Sequence, residues 1–160
     1  MRSILLSLIV AATAALAPPA DAAQRRLAYV QPDGTLKVGQ RIVRLFGIHI
    51  PPTNRVCRSF LRPVSCASRS ALALDTKVER FVSCDEVAYH RDRSVTAVCR
   101  MRDPEDTALG PEVDLSAWML YNGWAVALPN APFEYLTLER IARKLGRGIW
   151  GFQADSITFR

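Results

Sequence analysis

Apolar and polar residues alternate in three short runs in the first half of the chain, at residues 27–30, 35–38 and 42–46. Alternation with a period of two is typical of strands that bury one face. Glycine lies between neighbouring runs, at Gly34 and Gly39, and permits the backbone angles of tight turns. The pattern therefore predicts a meander of three antiparallel strands.

Two further apolar runs predict a second hairpin. They cover residues 78–85 and 94–101, and a polar stretch separates them. If the two runs pair as antiparallel strands, Cys84 and Cys99 face each other across the hairpin. A disulfide bond between them is then geometrically plausible.

Three segments have the spacing of apolar residues that is typical of helices. They are residues 67–76, 115–121 and 133–145. Ser65 or Ser68 is expected to cap the first helix. In the third helix, Glu139 and Arg143 are four residues apart and are expected to form an ion pair.

Residues 1–22 have the composition of a secretory signal peptide. Arg2 gives a basic start, residues 4–16 are apolar, and an A-x-A cleavage site follows at residues 20–22. A membrane anchor is the alternative, but the apolar run is shorter than the roughly 20 residues that a membrane-spanning helix needs. We therefore expect cleavage, an exported protein that is periplasmic or secreted, and no stable membrane span after cleavage.

The chain contains four cysteines, Cys57, Cys66, Cys84 and Cys99. An even number in an exported chain indicates two disulfide bonds. A zinc site is disfavoured because there is no C-x-x-C pair and neither histidine has ligand spacing to a cysteine. Four cysteines allow three pairings. The predicted strands favour Cys84–Cys99, together with Cys57–Cys66 across a proline-rich, irregular loop at residues 51–63.

The formal net charge of the chain is +6. A positive balance suits a polyanionic partner such as nucleic acid or an acidic polysaccharide. It equally suits a surface that only keeps the protein soluble. Net charge leaves both interpretations open, so the partner has to be inferred from particular residues.

The predicted elements follow the order strands, helix, strands, two helices, which is the order of a small barrel with helices packed on it. Over about residues 29–151 the chain resembles the staphylococcal nuclease (thermonuclease) family. The resemblance is strongest in residues 114–128 and 133–151, which end in Gly-Ile-Trp-Gly. Residues 43–47 are similar to the strand that bears the family's phosphate-binding arginine.

This resemblance implies an α+β, mainly β fold: a five-stranded OB-fold barrel with three packed helices. The domain would cover residues 27–152, followed by a C-terminal tail at residues 153–160. Cys84 and Cys99 fall where secreted bacterial members of the family often carry a pair of cysteines on neighbouring strands.

The family's calcium site uses two carboxylates, which the resemblance aligns with Gly34 and His49. The first belongs to a D-G-D-T turn. Gly34 takes its place when Thr35 is kept in register, and Asp33 is a metal ligand only if the turn is one residue shorter. Glycine has no side-chain ligand, and imidazole suits softer metals than calcium. Calcium is therefore expected only if the family's activity is retained, and otherwise no cofactor is expected.

The resemblance aligns Arg44 with the family's phosphate-binding arginine, so this residue is present in the chain. The proposed general base is a glutamate where this chain has Pro52, and a second arginine aligns with Ser94, one residue from Arg93. Proline cannot accept a proton, and the loss of one charge-stabilising group typically lowers a rate by about 10²–10³. We therefore expect that the chain is not an efficient calcium-dependent nuclease.

The leading hypothesis is a monomeric binding or interaction module for nucleic acid or another polyanion, with Arg44, Arg91 and Arg93 as its contacts. The first alternative is a phosphodiester hydrolase with a rebuilt site. Arg44, His49 and Arg93 would then be catalytic, and Asp33 would bind a metal. A weaker alternative is a structural protein of the cell envelope.

Overall fold

A computed structural model describes residues 25–52, 56–58, 63–65, 68–78, 81–102 and 111–151, with the backbone alone for 56–58 and 63–65. The described strands are β1 (Arg26–Val30), β2 (Leu36–Val38), β3 (Arg41–Leu45), β4 (Ile48–His49), β5 (Val56–Arg58), β6 (Pro63–Ser65), β7 (Phe81–Tyr89), β8 (Val95–Arg102), β9 (Glu112–Asp114) and β10 (Val126–Ala127). The described helices are α1 (Arg69–Lys77), α2 (Leu115–Tyr121) and α3 (Phe133–Lys144), and a 3₁₀ turn follows at Gly148–Trp150.

Five of these strands close into a barrel. They run in the order β3-β2-β1-β7-β8 with antiparallel neighbours, and β9 continues the sheet beyond β8. A parallel pairing of β3 with β8 closes the barrel and brings Arg44 opposite Thr96. Together with the three helices this is a mixed α+β, mainly β architecture of the OB-fold type, so the predicted fold class is confirmed.

The barrel is filled by the apolar residues that alternate along its strands. In β8 every second residue from Val95 to Met101 is buried, as strict alternation predicts. Helix α2 packs against β8 and α3. The largest side chains that are almost completely buried include Leu36, Leu74, Leu115, Met119 and Leu120. Strand β8 therefore has one face in the core and one face on the outside of the barrel.

A disulfide bond joins the two strands of the second hairpin. Cys84 and Cys99 are directly opposite in the register of β7 and β8, and their sulfur atoms are bonded. This pairing confirms one of the two predicted bonds. The predicted Cys57–Cys66 bond lies outside the described side chains.

Local signals predicted the helices well. The Oγ atom of Ser68 accepts a hydrogen bond from the backbone N–H of Ala71 at 3.0 Å, so Ser68 is the cap of α1. Asp114 caps α2 through the N–H groups of Ser116 and Ala117. The predicted ion pair in α3 forms, with Arg143 Nη2 at 2.6 Å from Glu139 Oε1. Each of these contacts lies within one turn of a helix, which explains why sequence patterns reveal them.

The strand predictions miss several features, among them the short β4–β10 pairing. Residues 51–63 were expected to be an irregular loop, but β5 pairs there with β6 in an antiparallel register. Strand β7 was predicted to end at residue 85 but continues to Tyr89. Its last part is exposed and has a bulge between Glu86 and Ala88, so it lacks the buried-exposed alternation on which the prediction depended. Strand β9, with only three residues, shows no such alternation either.

The ends of the chain carry two predictions that the structure does not reach. The predicted signal peptide, residues 1–22, and the predicted tail, residues 153–160, lie outside the described residues. Within the described part of the chain, no helix is long and apolar enough to cross a membrane.

Candidate anion-binding site at the β7–β8 turn

Arg44 lies on the outside of the barrel, near the turn that joins β7 to β8. Its neighbours in β3, Val43 and Leu45, are buried, so Arg44 points outward. Its Nε atom donates to Ser94 Oγ at 3.2 Å, and its Nη2 atom donates to Asp92 Oδ2 at 2.9 Å. The side chains of Arg44 and Asp92 remain 53% and 52% exposed. The guanidinium is thus held by two partners and is still open to solvent.

The β7–β8 turn is built by its own hydrogen bonds. The backbone N–H of Ser94 donates a hydrogen bond to Asp92 Oδ1 at 3.0 Å, and the hydroxyl of Ser94 donates to the same oxygen at 2.6 Å. The N–H of Arg93 donates to the carbonyl of His90 at 3.1 Å. Arg93 has a φ of 65° and is the one described residue other than glycine with a positive φ. The left-handed Arg93 thus lies between Asp92 and Ser94, inside the turn that the aspartate side chain closes.

The carboxylate of Asp92 is held in its charged form. The hydroxyl and the backbone N–H of Ser94, and after them the guanidinium of Arg44, keep the pKa of Asp92 below its usual value. Asp92 is therefore ionised at neutral pH and offsets part of the positive charge of Arg44.

Arg91 and Arg93 flank Asp92 in the turn, and both are exposed. Within the described part of the chain, neither side chain forms an ion pair or hydrogen bond. Because Arg44 contacts Asp92, the structure brings the three arginines of the binding hypothesis to one end of the barrel. They are separated by up to 49 positions in sequence, from Arg44 to Arg93, so this grouping depends on the closure of the barrel.

Thr96 lies opposite Arg44 on the neighbouring strand, and His90 contacts Thr96. The Oγ1 atom of Thr96 lies 2.7 Å from His90 Nε2. Our sequence interpretation did not assign a role to Asp92 or His90. The available signal was the spacing Asp-x-Ser, which is typical of a turn in which the aspartate accepts from the residue two positions later.

The β1–β2 turn does not provide a calcium site. Asp33 Oδ1 accepts from the backbone N–H of Thr35 at 2.9 Å and from its hydroxyl at 2.8 Å. Gly34 has a φ of 82°, and a Cβ atom added to it would lie 2.7 Å from Ile50 Cγ2. The space in which a carboxylate would begin is thus occupied by a branched apolar side chain. The residues present here do not fit calcium, which requires several oxygen ligands.

His49 and Pro52 are both exposed. The backbone of His49 is opposite Val126 in the short β4–β10 pairing, and its side chain has no hydrogen bond to another described residue. Among the residues that the structure describes, no three His, Cys, Asp or Glu side chains lie close enough together to hold a metal ion. Among the described residues, Arg44 has side-chain hydrogen bonds with Ser94 and Asp92 and none with His49 or Asp33.

The outer surface of the barrel beside Arg44 is apolar and basic. Tyr29, Lys37 and Ile42 lie in one row across β1, β2 and β3, and all three are exposed. Arg44 follows Ile42 by two positions in β3 and lies on the same face. Tyr29 is 59% exposed, so its ring is available for stacking.

The side chains around Arg44 have the chemistry of an anion-binding site. A half-exposed guanidinium with two exposed arginines nearby can donate several hydrogen bonds to phosphate oxygens. In the described residues, the one carboxylate in contact with Arg44 is ion-paired and has a lowered pKa, which makes it a weak base.

A scan against models of protein families finds no match for the chain, and a search of curated proteins finds none either.

Proposed function

We propose that this chain is an exported OB-fold module, related to the staphylococcal nuclease family, that binds single-stranded nucleic acid and does not hydrolyse it efficiently. The observation that carries this proposal is the position of Arg44. Its guanidinium is half exposed on the barrel surface and is fixed by Ser94 and Asp92, while Arg91 and Arg93 lie on either side of Asp92.

Single-stranded nucleic acid is favoured over other polyanions by the surface beside the arginines. A strand presents phosphates at regular intervals and bases that can stack on exposed aromatic rings. The three arginines would contact phosphates, and the row of Tyr29, Lys37 and Ile42 offers a ring, a cation and an apolar side chain to the adjoining nucleotides. An acidic polysaccharide would use the charges but has no flat base to stack.

Weak or absent hydrolysis is supported by the β1–β2 turn. Ile50 occupies the space that a side chain at Gly34 would need, and Asp33 is used to hold Thr35. Pro52 cannot act as a base. The left-handed conformation of Arg93 also favours the alignment in which Ser94, and not Arg93, takes the place of the family's second arginine, because the family's D-R-Y-G-R run has glycine at the preceding position.

Export is supported by the Cys84–Cys99 disulfide bond. Such bonds form and persist in oxidising compartments and are rare in the cytosol of most organisms. Residues 1–22 also have the composition of a signal peptide, and on this basis we place the mature protein in the periplasm or outside the cell.

The binding proposal is tested by fluorescence anisotropy with a labelled deoxythymidine decamer and the mature, oxidised protein at low salt. We expect Arg44→Gln to weaken binding about tenfold, because a charged hydrogen bond to phosphate is lost. It should also flatten the slope of log K against log salt by about 0.7. Arg140→Gln is the matched control, since it removes one positive charge from an exposed position in α3. Equal losses for the two variants, or no binding by the wild type, would refute the proposal.

The same preparation distinguishes the alternative functions. Incubation with DNA and RNA, with calcium, magnesium, manganese, zinc or a chelator, is expected to yield no efficient cleavage. Metal-dependent cleavage that Arg44→Ala abolishes would favour the hydrolase alternative. Retention of a protein partner without any anion binding would favour a structural role in the cell envelope.

A further inference from the structure

We infer that Asp92 sets the affinity and the selectivity of this site, by competing with the ligand's phosphate groups for Arg44. The inference rests on the proposed function. In the free protein the guanidinium of Arg44 donates a hydrogen bond to the carboxylate of Asp92, with Nη2 at 2.9 Å from Oδ2. A phosphate group of the ligand would accept the same hydrogen bond. A phosphate therefore has to displace or share this internal anion.

The geometry of Arg44 makes the competition direct. The Nε and Nη2 atoms lie on one edge of the guanidinium, and this edge can hold a carboxylate or phosphate through two parallel hydrogen bonds. Here Nε donates to Ser94 Oγ and Nη2 donates to Asp92 Oδ2. One of the two guanidinium edges suited to such a pair is thus already used in the free protein.

Asp92 is a strong competitor because the turn holds it in place. Its other oxygen, Oδ1, accepts from both the N–H and the hydroxyl of Ser94. Little side-chain freedom is lost when Asp92 pairs with Arg44, whereas a ligand loses freedom on binding. Its charge also repels any phosphate that approaches Arg44.

This arrangement selects for polyanions. A single phosphate can bind Arg44 only by displacing the carboxylate of Asp92. A strand can place neighbouring phosphates on Arg91 and Arg93, which lie on either side of Asp92, and can therefore bind while Arg44 is still partly occupied. Asp92 thus excludes isolated phosphates more strongly than it weakens the binding of a strand.

The test is Asp92→Asn, because the carbonyl oxygen of asparagine can still accept from Ser94 and preserve the turn. Asp75→Asn is the matched control, since it changes the net charge equally at an exposed position of α1. Binding is measured with the deoxythymidine decamer and, by competition, with thymidine 5′-monophosphate. Circular dichroism checks that each variant is folded, and Asp92→Ser is a second variant if asparagine disturbs the turn.

We expect Asp92→Asn to bind the decamer about threefold more tightly, in line with the modest strength of exposed ion pairs. The gain for the monophosphate should be larger than the gain for the decamer. Both gains should disappear in the Arg44→Gln background, because Asp92 acts through Arg44, and a purely structural role of Asp92 would not give this result.

Unchanged or weaker binding by Asp92→Asn would overturn the inference. The proposed function would still stand in that case, provided that the wild type binds the decamer. An equal gain for Asp75→Asn, or a gain that persists without Arg44, would also overturn it. If neither the wild type nor Asp92→Asn binds the decamer, the proposed function and the inference fail together.

Discussion

The β1–β2 and β7–β8 turns use the same hydrogen bonds but carry different residues at their left-handed position. In each turn an aspartate accepts from the N–H and the hydroxyl of the residue two positions later, Asp33 from Thr35 and Asp92 from Ser94. In each turn the residue between them is left-handed. That residue is Gly34 in the first turn and Arg93 in the second, with φ values of 82° and 65°.

The surroundings explain why the two residues differ. Gly34 is buried against Ile50, and even a Cβ atom would be too close to that side chain. Arg93 is exposed, so its side chain meets no such obstacle. Packing requires glycine in the β1–β2 turn, whereas the β7–β8 turn carries an arginine in a conformation that costs roughly 1–2 kcal/mol for a residue with a Cβ atom. Such local cost is often found at functional positions.

The largest effect is expected from Gly34→Asp, which introduces a carboxylate where the family resemblance expects one. We expect the free energy of unfolding to fall by about 3 kcal/mol, because the left-handed backbone and the overlap with Ile50 both add cost. Urea denaturation measures this change. Gly39→Asp is the control, since Gly39 also has a positive φ of 61° but an added Cβ would have nothing within 4 Å.

Equal destabilisation by these two substitutions would show that Ile50 does not restrict the β1–β2 turn. Partial recovery of stability in the double variant Gly34→Asp with Ile50→Ala would locate the conflict at Ile50. Additivity of the two changes would instead argue that the residues act separately.

A smaller effect is expected at the corresponding position of the β7–β8 turn. Arg93→Gly should raise the free energy of unfolding by about 0.5–1 kcal/mol, because glycine adopts a positive φ without steric cost. The same variant should bind the decamer more weakly, since a cation beside Asp92 is lost. Arg91→Gly removes the same charge at a residue without a positive φ and should weaken binding while lowering stability. Stability changes of the same sign in both variants would contradict this account.

The smallest effect concerns pH. The pKa of Asp92 in the folded protein is below its usual value, and the value in the unfolded chain is about 3.9. The stability contributed by the charged form is therefore fully present above about pH 4 and is lost as the pH falls through the folded pKa. The difference in unfolding free energy between the wild type and Asp92→Asn should shrink over that range, as measured by urea denaturation at several pH values. A difference that grows on acidification would contradict the stabilisation of the charged carboxylate by Ser94 and Arg44.

Local patterns in the sequence determined much of this protein. Alternation predicted the meander and the second hairpin, Ser68 was one of two predicted caps, and the strand positions of Cys84 and Cys99 predicted their bond. These features depend on hydrogen bonds and contacts between residues near in sequence or opposite in one hairpin. The spacing Asp-x-Ser at residues 92–94 is likewise a local signal for the β7–β8 turn. The contact of this turn with Arg44 is not encoded in that spacing.

The tertiary structure alone decided what those turns contact. The parallel pairing of β3 with β8 brings Arg44 to Asp92, 48 positions away, and so joins a cation on one strand to a turn in another hairpin. The contact between Ile50 and Gly34 likewise explains why a side chain is excluded from the β1–β2 turn. Sequence patterns encode backbone conformation over a few residues, whereas the partner of an exposed charge and the space beside a glycine depend on how distant segments pack when the barrel closes.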